Sequence, residues 1–521
     1  MDLRLVPAAL TAWAVTAVGI AWRAGPGIAA VSAIAASGWC VALRFASRSS
    51  GAPRRCRSGP IAVAVVAAGF GLAAGLRSDA AGDHPLLEHL GATVSVTVVP
   101  TETPRPARGG RLMFRADLGA DAPAGGRVMV FAPLNGFADL SAGQPVRFRA
   151  RVSAPARRDL TVAVLNATGR PVVGEAPVLL RAAHALRSRF AAAASESLPA
   201  DQAAMLPALV LGDTAAIPAT TARTFRTAGL THLTAVSGAN VAIVCGAVLL
   251  AAGLIGPRAA AVLAGLTLAG FVVIVEPTAS VLRAAVMGAI ALLALLTNRR
   301  RQALPALSAT VLLLMVITPE LAVDIGFALS VLATGALVVV APVWSARLTA
   351  RGWPKPLADA LSVATAAQLV TAPLVAAVSG QLSVVALAAN LVVAPVIPLI
   401  TVLGTAAAAV CPLVPTVAGL MIRFAGPELW WLLRVAEISA AIPGAAIAVP
   451  SGWLGLVTVG GAASAVVALW CRPGRWVVTR SPGEQRRPAS GARRGRPARR
   501  TRHRRDPADG TRRGRHRGRA G

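Results

Sequence analysis

The chain has 521 residues, 55% of them hydrophobic and only 14% charged, and its mean hydropathy is +0.64. Ordinary soluble domains carry roughly a quarter of charged residues, so a soluble enzyme is excluded as the default reading. Half of the net charge of +30 lies in residues 472–521, where 18 arginines face only Glu484, Asp506 and Asp509, which describes a membrane protein with basic edges rather than a basic globule.

Three apolar runs open the sequence, at 6–22, 28–43 and 60–76. Each has about the length that crosses a hydrocarbon core of roughly 30 Å, so residues 1–76 are expected to be N-terminal transmembrane helices. Arg44, Arg48, Arg54, Arg55 and Arg57 lie between the second and third runs. The positive-inside tendency places them in the cytoplasm and the segment after residue 76 outside.

Residues 77–183 are less apolar and alternate in short runs at 93–99, 111–118, 127–131, 145–152 and 160–165. Alternation broken by Gly and Pro predicts a small antiparallel β domain, and five short strands suit an extracytoplasmic OB-like barrel. In the fourth run Val146, Phe148, Ala150 and Val152 share one face while Arg147, Arg149 and Arg151 share the other, a basic stripe suited to phosphate contacts. Phe114 and Phe148 share their faces with aliphatic residues and read as core rather than as base-stacking platforms. Residues 184–228 read as helical and half apolar, an interfacial segment at the membrane surface, with Pro199 and Asp201 opening one helix and Leu211-Gly212-Asp213 closing it.

The apolar body resumes over residues 229–471, in runs at 229–255, 258–275, 279–296, 303–317, 321–343, 357–378, 382–410 and 452–470. The fold class predicted is therefore a polytopic α-helical membrane protein with about 11–12 transmembrane helices. Arg299, Arg300 and Arg301, and the basic stretch 347–355, are expected in the cytoplasm, with Thr318-Pro319-Glu320 outside. The stretch 416–442 carries Trp430, Trp431, Arg434 and Glu437, and either crosses or lies flat in the interface. Residues 472–521 have almost no apolar content, which predicts a disordered, basic cytoplasmic tail suited to nucleic acid or anionic lipid.

No catalytic, metal or cofactor signature stands out. The five cysteines are scattered, the six histidines form no ligand pair, and the single lysine, Lys355, follows Gly-Trp-Pro rather than a phosphate-binding glycine loop. Any ATP must be spent by a partner. What remains are polar residues inside apolar runs: His232, Ser237, Asn240, Glu276, Arg283, Asp324, Gln368 and Asn390. Such groups cost several kcal/mol in lipid unless paired or facing water, so each is a functional candidate, although helix-to-helix hydrogen bonding is the ordinary alternative. On one continuous helix, at about 100° per residue, Asn240, Ser237 and Thr234 fall at about 80°, 140° and 200° from His232, a single polar fan. Arg283 is expected either to pair with Asp324 or to meet phosphate directly. Gly238 permits a break or a close backbone approach, and Pro395 and Pro398 predict a kinked or re-entrant helix.

Read in order, Leu209-Val-Leu-Gly-Asp213, His232-Leu-Thr-Ala-Val-Ser237-Gly-Ala-Asn240, Ser280-Val-Leu-Arg283, Asp324-Ile-Gly-Phe-Ala-Leu-Ser330, Gln368 through Ala372-Pro373, and Gly380-Gln-Leu-Ser383 to Asn390-Leu-Val-Val-Ala-Pro395 resemble the ComEC family of competence DNA-uptake channels. The resemblance implies a channel passing single-stranded DNA inward across the cell membrane, with His232, Ser237, Gly238, Asn240, Arg283, Asp324, Gln368 and Asn390 along the path. It implies as partners a DNA receptor, ATP-driven competence proteins and, with the histidine-rich motif of the family's C-terminal metallo-β-lactamase-like domain missing, a separate nuclease. Asn240 stands where members often have His. Two alternatives stay open: a transporter of a small anionic solute, and a truncated, inactive remnant.

Overall fold

The computed structural model describes residues 3–46, 59–107, 109–119, 125–234, 236–276, 278–297 and 302–471. Arg48, Arg54, Arg55, Arg57, Arg299, Arg300, Arg301 and the tail 472–521 lie outside the described residues.

Helices α1 (Val6–Trp22), α2 (Gly25–Ala46) and α3 (Gly59–Gly82) open the chain. Pro7 sits in the first turn of α1, where its missing N–H costs nothing. A Cβ on Gly25 would stand 2.5 Å from the carbonyl oxygen of Gly71 and 2.6 Å from the nitrogen of Gly75. Glycine thus lets the backbones of α2 and α3 touch, the close approach that packs helices where lipid offers no hydrophobic drive.

Six strands follow: β1 (Thr93–Pro100), β2 (Arg105–Ala107), β3 (Arg111–Leu118), β4 (Arg127–Pro133), β5 (Val146–Ser153) and β6 (Thr161–Val173). Their order is β1-β5-β6-β4-β3-β2, and β1 also pairs with β3, so five strands close into a barrel with β2 appended. The closure and strand order are OB-like. One pair departs from the antiparallel expectation: β4 and β6 run parallel. Strand alternation cannot reveal direction, because side chains alternate identically either way. The inward residues, among them Val98, Phe114, Val130, Val146, Phe148 and Leu165, are buried, and Phe137 packs edge-on against Phe148 at 5.4 Å.

The rest is helical: α4 (Val178–Ser197), α5 (Ala200–Leu211), α6 (Ala219–Thr227), α7 (Gly238–Ala251), α8 (Pro257–Val275), α9 (Ala279–Leu296), α10 (Ala303–Ile317), α11 (Ile325–Val339), α12 (Ala341–Ala350) and α13 (Lys355–Ser379). After α13 come β7 (Gln381–Ser383), α14 (Ala386–Val393), α15 (Val396–Val410), α16 (Pro415–Phe424), α17 (Gly426–Ala441), β8 (Ala446–Ala448) and α18 (Gly452–Cys471). Among the described residues five stretches are long and apolar enough to cross a membrane: the one containing α3, then α8, α9, the α11–α12 run and α13. The pair α14 and α15, bent by 54°, makes a sixth if it is one broken span. The chain is thus a multi-pass membrane protein, but several of the eleven or twelve expected spans are helices of 10–17 residues, below the roughly 20 that a full crossing needs.

Within the 184–228 segment one helix departs from the surface expectation. The segment's helices begin at Val178, and α5 is buried along nearly its whole length rather than lying at a surface: Met205, Leu206, Ala208 and Val210 are fully buried, with α4, α15 and α17 packed against the helix. Twelve residues with a polar first turn resemble a surface helix in composition, yet an all-round apolar helix belongs in a core.

The barrel is bonded to two loops of this body. Arg127 on β4 reaches Glu320, between α10 and α11, at 2.8 Å. Thr103, between β1 and β2, and Arg187 of α4 both meet Glu276, between α8 and α9. His184 of α4 also lies 3.0 Å from the carbonyl of Ala142.

Candidate functional site

Four of the sequence motifs converge where α5 ends and α7 begins. Gly212 closes α5 in the left-handed conformation, and the last carbonyls of the helix need outside donors. Asn240 supplies one: its Nδ2 donates to the Leu209 carbonyl at 2.8 Å, with the residue only 6% exposed. Its Oδ1 accepts from Ser237 Oγ at 3.1 Å. Asn240 therefore fastens α7 to α5, which places it in packing rather than on a free wall.

The continuous helix assumed for 229–255 does not form. Thr231–Leu233 is a single 3-10 turn carrying an exposed His232, and α7 starts only at Gly238, with Ser237 in the capping position. The angular fan of His232, Thr234, Ser237 and Asn240 is overturned, because the break in the chain resets the helical phase. Ser237 turns its hydroxyl to Asn240 and does not cap the backbone.

Arg283, one turn into α9, is 6% exposed. Its Nε donates to Ser330 Oγ of α11 at 2.7 Å, and Nη1 lies 3.2 Å from Met287 Sδ. A Cβ on Gly238 would stand 2.6 Å from Nη2, so the glycine gives the guanidinium its room against the start of α7. The expected Arg283 to Asp324 pair is absent among the described residues: Asp324 caps α11, its Oδ1 accepting from the amide of Phe327 at 2.7 Å. Capping a helix start is the commoner use of an Asp at such a boundary.

The remaining candidates are spread out. Asn390, on α14, returns its amide to the Ala386 carbonyl of its own helix at 2.8 Å. Gln368 is half-buried midway along α13. Sequence reasoning misses Ser330: it ends one of the motifs, but its spacing from Asp324 carries no sign of a partner on α9. Among the described residues no group of three His, Cys, Asp or Glu side chains is placed to hold a metal ion.

The family model described as competence protein matches residues 209–474, just over half of the chain. The chain belongs to the competence protein family. Comparisons with curated proteins and with solved structures returned no match. The matched region starts inside α5, so every bond around Arg283 falls within it, and membership of the competence family brings with it a role in DNA uptake for transformation, in association with DNA and the membrane.

Upstream of the competence region, the arginine stripe is on the outside of the barrel, as the alternation requires: Arg147, Arg149 and Arg151 are exposed between buried Val146, Phe148, Ala150 and Val152. Thr97, Ser95 and Thr93 stand opposite them on β1, and Val172, Thr168 and Asn166 on β6. Arg147 Nε donates to Ser95 Oγ at 3.3 Å. Phe114 and Phe148 are in the barrel core, so this face offers guanidinium and hydroxyl groups without an aromatic platform.

Glu276 is the polar residue whose role the sequence left unread. It has a left-handed φ of 71°, a conformation a non-glycine residue holds only when its surroundings fix it. Here Oε1 accepts from Thr103 Oγ1 at 2.5 Å and from Arg187 Nη1 at 2.7 Å, while Oε2 accepts from the Thr103 amide at 3.3 Å. Burial pushes this carboxyl up, but Arg187 and the Thr103 hydrogen bonds outweigh it and leave the group below its ordinary value. Thr103 and Arg187 lie 173 and 89 residues away, too far for any local pattern to couple them.

Proposed function

We propose that this competence protein is a channel that passes single-stranded DNA through the cell membrane into the cytoplasm, with the barrel on the outer side receiving the strand. The observation that carries the reading is the meeting of four family motifs around Arg283, a buried guanidinium with no carboxylate partner among the described residues. A cation left uncompensated inside a membrane domain is expensive, and a passing polyanion supplies the missing charge. Hydroxyls and a single cation hold phosphate weakly enough for it to leave again, as conduction demands.

The stripe of Arg147, Arg149 and Arg151 suits first capture, because backbone phosphates are bound by sequence-independent charge. On this reading the chain does no covalent chemistry; the driving force comes from an ATP-spending partner, the strand from a DNA receptor, and single strands from a separate nuclease. The test is complementation. In a transformable strain lacking its own channel, this chain restores uptake of labelled DNA into a nuclease-protected pool. Normal membrane insertion without any protected DNA defeats the proposal, and import of a small anionic solute in its place favours the transporter alternative.

A further inference from the structure

The start of α7 carries backbone donors left unused by the described residues. Ser237 stands at the capping position with its hydroxyl turned away to Asn240, and the amides of Gly238 and Ala239 have no acceptor among the described residues. A helix start carries a partial positive charge and points its free N–H groups outward, which suits it to phosphate. Beside it lies a second cationic group. Nη2 of Arg283 has no hydrogen-bond partner among the described residues and is packed so near Gly238 that a methyl group there would lie 2.6 Å from it. Arg283 is 6% exposed, whereas Gly238 is half-buried and Ala239 exposed.

Two positive groups held together in a weakly screened interior repel each other unless an anion lies between them. Asp324, the acid expected from the sequence to pair with Arg283, is committed to the start of α11. Met287 Sδ and Ser330 Oγ accept from the other guanidinium nitrogens, but neither is charged. Glycine at 238 serves the same end: it leaves the guanidinium room to pack against the first residue of α7.

We infer that the Gly238 and Ala239 amides and Nη2 of Arg283 form a seat for one phosphodiester group of the DNA backbone, a single resting position for each phosphate in turn. This deepens the proposed channel reading and rests on it for the identity of the ligand. Free phosphate and a lipid headgroup share the chemistry, so the test separates the sources.

The experiment uses the full chain in nanodiscs of neutral lipid, with thermal unfolding and binding of a labelled single-stranded oligonucleotide as readouts. Expected for the wild type are a rise in Tm with added oligonucleotide, and a binding loss of tenfold or more with an oligonucleotide whose phosphates are replaced by uncharged methylphosphonates. Gly238→Ala pushes the guanidinium from the seat without removing a charge. It is expected to weaken oligonucleotide binding at least fivefold while its ligand-free Tm stays within a few degrees of wild type. Arg283→Lys keeps the charge, loses the fork, and is expected to weaken binding similarly. Unchanged binding in both variants overturns the seat, even if the wild type imports DNA and the channel reading stands. A Tm rise that vesicles of anionic lipid produce and oligonucleotide does not also overturns it, assigning the groups to a headgroup. A wild type that fails to import DNA, yet binds oligonucleotide through Gly238 and Arg283, keeps the seat and defeats the channel.

Discussion

Asn240 and Glu276 show how a polar residue in an apolar run acquires a role that composition alone does not reveal. Both of Asn240's bonds are internal, to the Leu209 carbonyl and to Ser237, so its loss leaves a buried carbonyl without a donor. Asn240→Leu is expected to cost about 1–3 kcal/mol, visible as a lower Tm and less protein in the membrane. A variant that accumulates and melts like wild type but imports no DNA returns Asn240 to the wall of the path. Glu276 carries a pH prediction. Its folded-state affinity for protons lies below the ordinary carboxylate value, so its contribution is fully present above that value and is lost as the pH falls through the lowered one. The bonds from Thr103 and Arg187 to this carboxylate, and with them a barrel-to-body joint, are expected to weaken as the pH falls through the acid range below the ordinary carboxylate value. Glu276→Gln leaves Arg187 buried without its counter-charge, so it is expected to cost about 3 kcal/mol at neutral pH and to flatten the acid-side loss. Melting curves taken across that pH range in both proteins decide it; parallel curves remove Glu276 from the joint.

The elements were legible where an apolar run is uninterrupted. Helices α8, α9 and α10 start and stop within one residue of the runs at 258–275, 279–296 and 303–317, because Pro, Thr and Glu at their ends mark the boundaries. Legibility fails where apolarity continues through a change of geometry. Ser237-Gly238 breaks the 229–255 run without altering its hydropathy, and α5 hides its burial because two of the helices that enclose it, α15 and α17, are remote in sequence. The proline break was readable: α14 and α15 meet at 54° around Pro395, and the indole of Trp431 donates to the Val392 carbonyl that the break frees, at 3.3 Å. This bond also gives the 416–442 stretch a definite role, bracing the bend through α17. On the barrel, the strand that sequence alternation described best makes a quantitative prediction. With Arg147, Arg149 and Arg151 all changed to Ala, inward-facing Val146, Phe148, Ala150 and Val152 are untouched, so the barrel is expected to stay folded. Binding of single-stranded oligonucleotide to the full chain should weaken at low salt. Its log-log salt slope should fall by about 0.7 for each phosphate that the variant no longer neutralises, or about 2 in all. An unchanged slope moves first capture to another surface.

For the whole molecule, the barrel's bonds fix which loops share a side. Glu276, after α8, and Glu320, after α10, both bond to the barrel, so the ends of α8 and α10 and the starts of α9 and α11 face it together. Helix α9 leaves from that side and α10 returns to it, which puts Leu296 at the end of α9 and Ala303 at the start of α10 together at the opposite end of the two helices. The same reasoning applies to the next pair. The α11–α12 run leaves from beside Asp324 and ends at Ala350, and α13 starts back at Lys355, so Arg347, Arg351 and Lys355 gather at the end away from the barrel. A basic turn at one end and two acidic, barrel-bonded loops at the other form an asymmetry which, under the positive-inside tendency, supports the proposed orientation with the barrel on the outer side. A labelling experiment follows, with the native cysteines replaced. Thr168→Cys on the exposed face of β6 is expected to react with a membrane-impermeant maleimide in intact cells, whereas Thr349→Cys near the end of α12 should react only after permeabilisation. Both positions are exposed, so failure to react reports sidedness rather than burial. The reverse pattern would turn the barrel and its arginine stripe to the cytoplasm and make the proposed capture of external DNA impossible; reaction of both sites in intact cells would show that these helices do not cross the membrane together as the barrel's bonds require.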